Sequence, residues 1–567
     1  MASLPPGILL VAGALLVPLF KGRLKQLWLL ALPLVAGAHL YALAGTAGAG
    51  QQLEFLGHTL TLARVDRLAL VFGLAFHVAA FLATVFSLHV KDDVQHVAGL
   101  AYAGSAIAAV FAGDLITLFC AWEGTAIASV FLVWATRTER SYRSAMRYLL
   151  FQVGSGVLLL AGILFHLRAG GGVGFDALPL DTTGGRLMFA AFGIKACFPL
   201  LHTWLVDAYP NATPGGAVWL SAFTTKLAVY ALARGFAGAE PLVALGAAMA
   251  VFPLFFALVE NDLRRVLAYS LISQLGYMVA AVGVGTPLAL DGAAAHAFAH
   301  ILYKALLFMA LGAVLHRTGT CRATELGGLA RSMPWTAGFC LVAAASIAAV
   351  PGFSGFASKS LILDALAAEH RAVAWHLLLF AGAAVVPYLA FRVPYLAFFA
   401  PARRAHEGAG EAPATMRVAM AVAAAGCVAV GVFPGALYAL LPGRPDVQPY
   451  TGAHVVGQLQ LLVFAGLATA LLFRKGWFPL AREGRLLDFD WTWRRLVPAV
   501  GGPLVRAGAR LRATVLASFR NVGLGLWGRL FPHLAPSGSL ARAWSTGSTV
   551  LWVAVILAAY LVLYYLG

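Results

Sequence analysis

The sequence predicts an all-α, polytopic membrane protein of about sixteen transmembrane helices, and three observations carry that prediction. Apolar runs of about 20 residues follow one another almost without a break to residue 473 and recur once more at 548–566. Only 11% of the chain is charged, where a soluble protein carries about 25%, and the mean hydropathy is +0.83. The basic residues gather mostly in short loops that follow every second span.

In chain order the spans are read at 6–20, 27–45, 68–90, 94–112, 114–134, 145–168, 186–204, 213–235, 240–259, 263–285, 289–315, 336–368, 374–400, 416–438, 454–473 and 548–566. Lys21, Arg23 and Lys25 follow the first, Lys91 the third, and Arg137, Arg140, Arg143 and Arg147 the fifth. Arg264 and Arg265 follow the ninth, Arg317, Arg322 and Arg331 the eleventh, Arg403 and Arg404 the thirteenth, and Arg474 and Lys475 the fifteenth. The loop after the seventh carries Asp207 and no base. This alternation places the N-terminus outside. No basic residue precedes the first apolar run, so it reads as a retained span, not a cleaved leader.

Three segments between spans have their own character. Residues 46–66 alternate apolar and polar positions (LEFLGHTLTLARVD), the pattern of a small hairpin outside the membrane. Residues 401–415 form a charged, Ala/Gly/Pro-rich loop. Residues 474–547 interleave arginine and tryptophan with apolar residues, and from about Leu504 to Leu530 the pattern suits an amphipathic helix lying in the membrane interface. The expected organisation is N-terminal helices at 1–92, one repeat at 93–235, a second at 236–400, peripheral helices at 401–473, a lateral amphipathic region at 474–547 and a last span at 548–567.

The formal charge of +17 comes from 40 Lys+Arg against 23 Asp+Glu. Spread over short loops, that excess is the mark of membrane topology, not of a nucleic-acid surface. The five cysteines make no CxxC pair and most lie in apolar runs, which argues against iron–sulfur, zinc or disulfide chemistry. No phosphate-cradling glycine motif is present.

The informative residues are the charges inside spans, since an ammonium at the centre of a bilayer costs about 2.5–3.5 kcal/mol. Glu123 lies mid-span in GDLITLFCAWEGTAIASVFLVW; a buried carboxylate stays charged if a lysine pairs with it. Lys195 precedes Cys197-Phe198-Pro199, where the proline breaks the helix, and broken helices at membrane depth line cavities. Lys226 lies beyond snorkelling reach in SAFTTKLAVY. His296, His300 and Lys304 are spaced by four and share one helix face, a stripe suited to relaying protons. Lys359 follows Pro351, Gly352 and Gly355, a second broken, lysine-bearing helix that echoes the first, as an internal repeat would. The chemistry on offer is protonation and its coupling between neighbours.

The stretches LFCAWEGTAIASV, GIKACFPLLHTWLVDAYPNATP, ENDLRRVLAYSLISQLGYM, HAFAHILYKALLF and PGFSGFASK together resemble the antiporter-like subunits shared by Mrp-type Na+/H+ antiporters, respiratory complex I and membrane-bound hydrogenases, over roughly 67–400. The resemblance implies two inverted-repeat halves with broken helices. It implies that Glu123 and Lys195 form the switching pair, that Lys226 is the relay lysine, that His296, His300 and Lys304 are the central relay, and that Lys359 is the terminal lysine. In FQVGSG, Ser155 stands where the resemblance implies an aspartate. The turn DAYPNATPGGAVWLSAFTTK is similar to the D-type subunits of Mrp antiporters, whereas the C-terminal lateral region resembles the largest antiporter-like subunit of complex I.

The implied function is that of a transporter subunit, not an enzyme: the proton-translocating subunit of a multisubunit Na+/proton antiporter in the bacterial inner (plasma) membrane. Its partners would be other membrane subunits, the bilayer, protons and Na+, with no cofactor, metal or nucleic acid. Two alternatives keep the fold: a proton-pumping subunit of a complex I-like or hydrogenase-type redox complex, and an energising subunit for inorganic-carbon uptake. A structural scaffold with idle charges is a third.

Overall fold

The computed structural model describes residues 4–45, 51–55, 57–404, 409–479, 487–534 and 546–566. Parts of the expected hairpin loop (46–50), the charged loop (405–408) and the lateral region (480–486 and 535–545) lie outside the described residues. Thirteen helices among the described residues are long and apolar enough to cross a membrane. The shorter Ile8–Leu19 segment and two broken pairs, Thr183–Ala196 with Thr203–Ala208 and Pro334–Ile347 with Ser354–Ala368, bring these to the sixteen expected spans.

Several helices begin where the sequence supplies a side-chain cap. After α1 (Ile8–Leu15) and α2 (Gly22–Ala44), the strands β1 (Gln51–Phe55) and β2 (His58–Ala63) pair antiparallel as the expected hairpin. Asp66, Asp92 and Asp114 then cap α3 (Arg67–Ser87), α4 (Asp93–Phe111) and α5 (Leu115–Trp134), each carboxylate accepting from a first-turn amide. Asp114 also accepts from the Thr61 amide at 2.8 Å, so it ties the hairpin to α5. A Thr138/Ser141 capping box starts α6 (Glu139–Arg168) six residues earlier than its apolar run. Arg140, Arg143 and Arg147 therefore lie in the first turns of α6, not in a loop as their charge had indicated.

Thr182, Thr213, Asp262 and Thr286 cap α7 (Thr183–Ala196), α9 (Pro214–Ala222), α12 (Leu263–Val284) and α13 (Pro287–Thr318) in the same manner. The short α8 (Thr203–Ala208) follows α7, α10 (Thr224–Gly235) follows α9, and α11 (Pro241–Val259) packs on α12. Gly246 and Gly276 allow that last approach: a Cβ on either would run into the other helix's backbone. The rest of the first unit comprises α14 (Pro334–Ile347), α15 (Ser354–Ala368), α16 (Ala372–Val385), whose span continues to Phe399 with π-helical turns around Pro387 and Pro394, and the helices Ala414–Val432 and Gly452–Arg474.

The chain divides into two compact units, residues 1–488 and 489–567. In the first, α10, α12 and α13 are buried almost throughout, so their side chains meet protein on every face. Lys226 lies on α10, and His296, His300 and Lys304 lie on α13. The second unit is a 38-residue helix, Val497–Leu534, preceded by a π-helical turn, and the final helix Thr546–Leu566. At about 1.5 Å per residue the longer helix reaches about 57 Å.

Candidate functional site

Three helix breaks position the site. The first separates α7 from α8. Pro199 cannot continue the helix, and Cys197 and Leu200 turn the chain through left-handed conformations at φ 65° and 73°. The carbonyls released there are taken up locally, that of Gly193 by the Phe198 amide and that of Ile194 by the Trp204 indole at 2.9 Å.

Lys195, fully buried, ends α7 beside this break. Its ammonium donates to the Trp122 carbonyl at 2.9 Å and to Thr125 Oγ1 at 3.0 Å, and it lies 4.2 Å from the Trp122 ring centre. Glu123 comes close enough to interact electrostatically but forms no direct ion pair with Lys195. Its carboxylate lies against Gly156 of α6, where a Cβ would overlap Oε1, and Oε1 has no hydrogen-bond partner among the described residues. The expected contact pair is thus two neighbouring groups on different faces of α5: residue 122 supplies the carbonyl for the cation, and residue 123 points toward α6. Ser155 accepts from the Trp122 indole at 3.0 Å and donates to the Ala191 carbonyl at 2.7 Å, so it joins α5, α6 and α7 as a neutral bridge.

The second break, within span eight, carries no proline or glycine and sequence reading placed no break there. α9 ends at Ala222, Phe223 adopts φ −103° and ψ −70°, and α10 starts at Thr224 under the Tyr102 hydroxyl, which accepts from the Thr224 amide at 2.9 Å. The Ser221 carbonyl, freed by the break, accepts from the Lys226 ammonium at 2.5 Å. Lys226 is fully buried and meets no carboxylate among the described residues.

The third break lies between α14 and α15, with Ala349 at φ 58° and Gly352 at φ 91°. Lys359 donates to the Ile347 carbonyl at 2.8 Å, the last residue of α14, and lies 5.0 Å from the centre of the Tyr277 ring. Two of the three breaks therefore give their own freed carbonyl to a lysine, and the third places its lysine on a carbonyl of α5.

Between these breaks runs the α13 stripe. His296, His300 and Lys304 are all fully buried. Lys304 donates to the Ser270 hydroxyl of α12. His296 Nδ1 shares a hydrogen bond with Ser358 Oγ at 2.9 Å, next to Lys359, and its ring centre is 5.8 Å from Tyr277 and 6.1 Å from His300. Both nitrogens of His300, Thr225 Oγ1, Gln274 Nε2 and both polar atoms of Gln152 are buried without a hydrogen-bond partner among the described residues. Buried polar groups of that kind are normally satisfied by internal water.

From Lys359 a cavity of about 410 Å³ opens past Asp364, His454 and Gln458, with His454 Nε2 3.3 Å from the Asp364 carboxylate. It provides titratable groups beyond the last lysine. Among the described residues, no three of His, Cys, Asp and Glu converge on a point that a metal could fill.

Several residues that hold the site were not singled out from sequence. Arg264, buried on α12, donates to the carbonyls of Pro210 and Ala212 at 2.9 and 3.0 Å and of Tyr209 at 3.2 Å, fixing the turn between α8 and α9. Asp207, near the end of α8, pairs with Arg147 at 2.7 Å. Asp488, buried, accepts from Tyr269 at 2.6 Å and lies 3.3 Å from His202 Nε2 just after the first break. Nothing local marks these contacts, because partners lie up to 286 residues apart. The four-residue spacing of the stripe, by contrast, was visible because it lies within one helix.

Comparison with known proteins places this site in the part of the chain with recognisable relatives. Residues 112–385 match the family described as NADH:quinone oxidoreductase/Mrp antiporter, transmembrane. Over 287 residues the chain is 31% identical to the D-type subunit of the Na(+)/H(+) antiporter of Alkalihalophilus pseudofirmus, an alignment that covers 47% of this chain and 58% of that relative. The chain spans little more than half the length of such curated relatives. Its fold superposes on a chain of the Mrp complex from Dietzia sp. with a TM-score of 0.71 at 25% identity, covering 99% of this chain and 62% of that one. A chain of the membrane-bound sulfane sulfur reductase, an archaeal respiratory membrane complex, matches with the same TM-score of 0.71 at 23% identity, over 99% of this chain and 100% of that one.

Proposed function

We propose that this chain, whose residues 112–385 match the NADH:quinone oxidoreductase/Mrp antiporter transmembrane family, is the proton-translocating subunit of a multisubunit Na+/proton antiporter in a bacterial plasma membrane. The observation that supports this reading is the buried line of Lys195, Lys226, Lys304, His300, His296 and Lys359, with its lysines on carbonyl or hydroxyl acceptors. Such acceptors take a hydrogen bond from a lysine whether it carries three protons or two. The contact survives release of the proton, which a tight lysine–carboxylate pair would resist.

In this reading the catalytic groups are Glu123, Lys195, Lys226, His296, His300, Lys304 and Lys359. Glu123 acts on Lys195 through its charge at a distance, and the Lys195 proton is handed toward Lys226. The proton crosses to the stripe through water bound at Thr225, Gln274 and His300. His296 passes it through Ser358 to Lys359, and Lys359 releases it into the cavity that holds Asp364 and His454. The two repeats, 93–235 and 236–400, would each contribute one broken, lysine-bearing helix to the path.

A redox-driven pump subunit is the second reading, favoured by the description of the matched family, which names NADH:quinone oxidoreductase beside the antiporter. Purification of the native complex separates the two. Copurified small membrane subunits and cation-dependent proton flux in vesicles support the antiporter; hydrophilic redox subunits, with flux that follows electron transfer and not a Na+ gradient, overturn it.

A further inference from the structure

Two cavities at one end of the first spans share the residues Pro18 and Asp93. The first, about 540 Å³, lies where α1 gives way to α2 and where α3 turns into α4, with Lys21, Arg23, Lys25 and Lys91 among its lining. Lys25 is committed to Asp93. Among the described residues, no acidic side chain pairs with Lys21, Arg23 or Lys91. Burial, with His316 beside it, holds His89 below the ordinary histidine range, so the cavity's positive charge is that of the lysines and the arginine.

The second cavity, about 440 Å³, is an apolar groove between α4 and α5. On α4 it is walled by Val94, Val97, Ala101 and Ser105, and on α5 by Ile127 and Phe131, each set at helical spacing. From Val94 to Ser105 the groove runs about 16 Å at 1.5 Å per residue, one half of a hydrocarbon core of about 30 Å. A basic chamber at the membrane surface that continues into an apolar groove one leaflet deep has the two chemistries of a single amphiphile.

We infer that this paired cleft holds one anionic phospholipid of the cytoplasmic leaflet, its phosphate on Lys21, Arg23 and Lys91 and an acyl chain in the groove between α4 and α5. The leaflet follows from the basic residues, which gather on the cytoplasmic face. The headgroup class follows from cations left without protein counter-ions, since basic pockets between spans on that face select anionic lipids. The bound chain would fill the lipid-facing side of α5, the helix that carries Glu123.

The test uses the assembled complex, delipidated in detergent and titrated with phosphatidylglycerol, phosphatidylcholine or inorganic phosphate, with native mass spectrometry reading the bound molecule. Phosphatidylglycerol is expected to be retained over phosphatidylcholine, with inorganic phosphate held far more weakly. Arg23→Ala with Lys91→Ala removes two cations worth about 1 kcal/mol each and weakens retention roughly thirtyfold. Arg23→Lys with Lys91→Arg keeps it and controls for folding. Ala101→Trp expels the lipid although every cation remains. Equal retention of the two lipids, inorganic phosphate bound as tightly as phosphatidylglycerol, or unchanged retention in Ala101→Trp each overturns the inference. So does a crosslink from position 101 to a neighbouring subunit's helix in native membranes, since the groove would then be a protein interface.

Discussion

Among the described residues Lys226 meets one acceptor, the Ser221 carbonyl, and that acceptor exists because the helix breaks at Phe223. Lys359 repeats the arrangement on Ile347. The sequence made these lysines conspicuous through the cost of placing a cation in a span; their acceptors depend on tertiary packing and were not legible. Ser358 was equally silent, though its hydroxyl contacts His296 and its backbone neighbour is Lys359. If the proton passes between those groups, Ser358→Ala slows flux roughly tenfold while the complex assembles at wild-type yield, and vesicle pH-dye kinetics read the difference. Gly156 is a sharper steric case, since any side chain there displaces the Glu123 carboxylate. Gly156→Ala is expected to destabilise the protein by about 1–3 kcal/mol and to impair flux, and Glu123→Ala in the same background should recover the stability, as thermal unfolding would show.

At the scale of elements, two of the three helix breaks could be read from Pro199 and from Pro351 with Gly352. The break between α9 and α10 could not: Ala-Phe-Thr-Thr contains no breaker, and the bend is held from outside by Tyr102. Helix starts moved outward for a related reason. Capping residues such as Thr138 belong to the element although they lie beyond its apolar run. The turn between α8 and α9 depends on Arg264, whose guanidinium donates to the carbonyls of Pro210, Ala212 and Tyr209. Arg264→Met is therefore predicted to cost about 3 kcal/mol and to lower the unfolding temperature, because each unsatisfied group costs about 1–3 kcal/mol. Asp488→Ala strands His202 and Tyr269 in the same way, and its loss of about 1–3 kcal/mol should appear in the same melting experiment.

At the scale of the molecule, the polytopic all-α reading held, with thirteen described helices long and apolar enough to cross a membrane, because hydropathy reports on the bilayer, which acts on every span alike. The order of the buried groups across helices was a matter of packing, and the sequence offered it only through resemblance to relatives. In the proposed path the buried groups run from α7 to α15 of the first unit, and removing one member would interrupt it. The most direct test is proton flux driven by a Na+ gradient in vesicles containing the assembled complex, with wild type compared to Lys226→Ala. Flux at background level with the complex intact is the predicted result. Flux at the wild-type rate would contradict a proton path through Lys226.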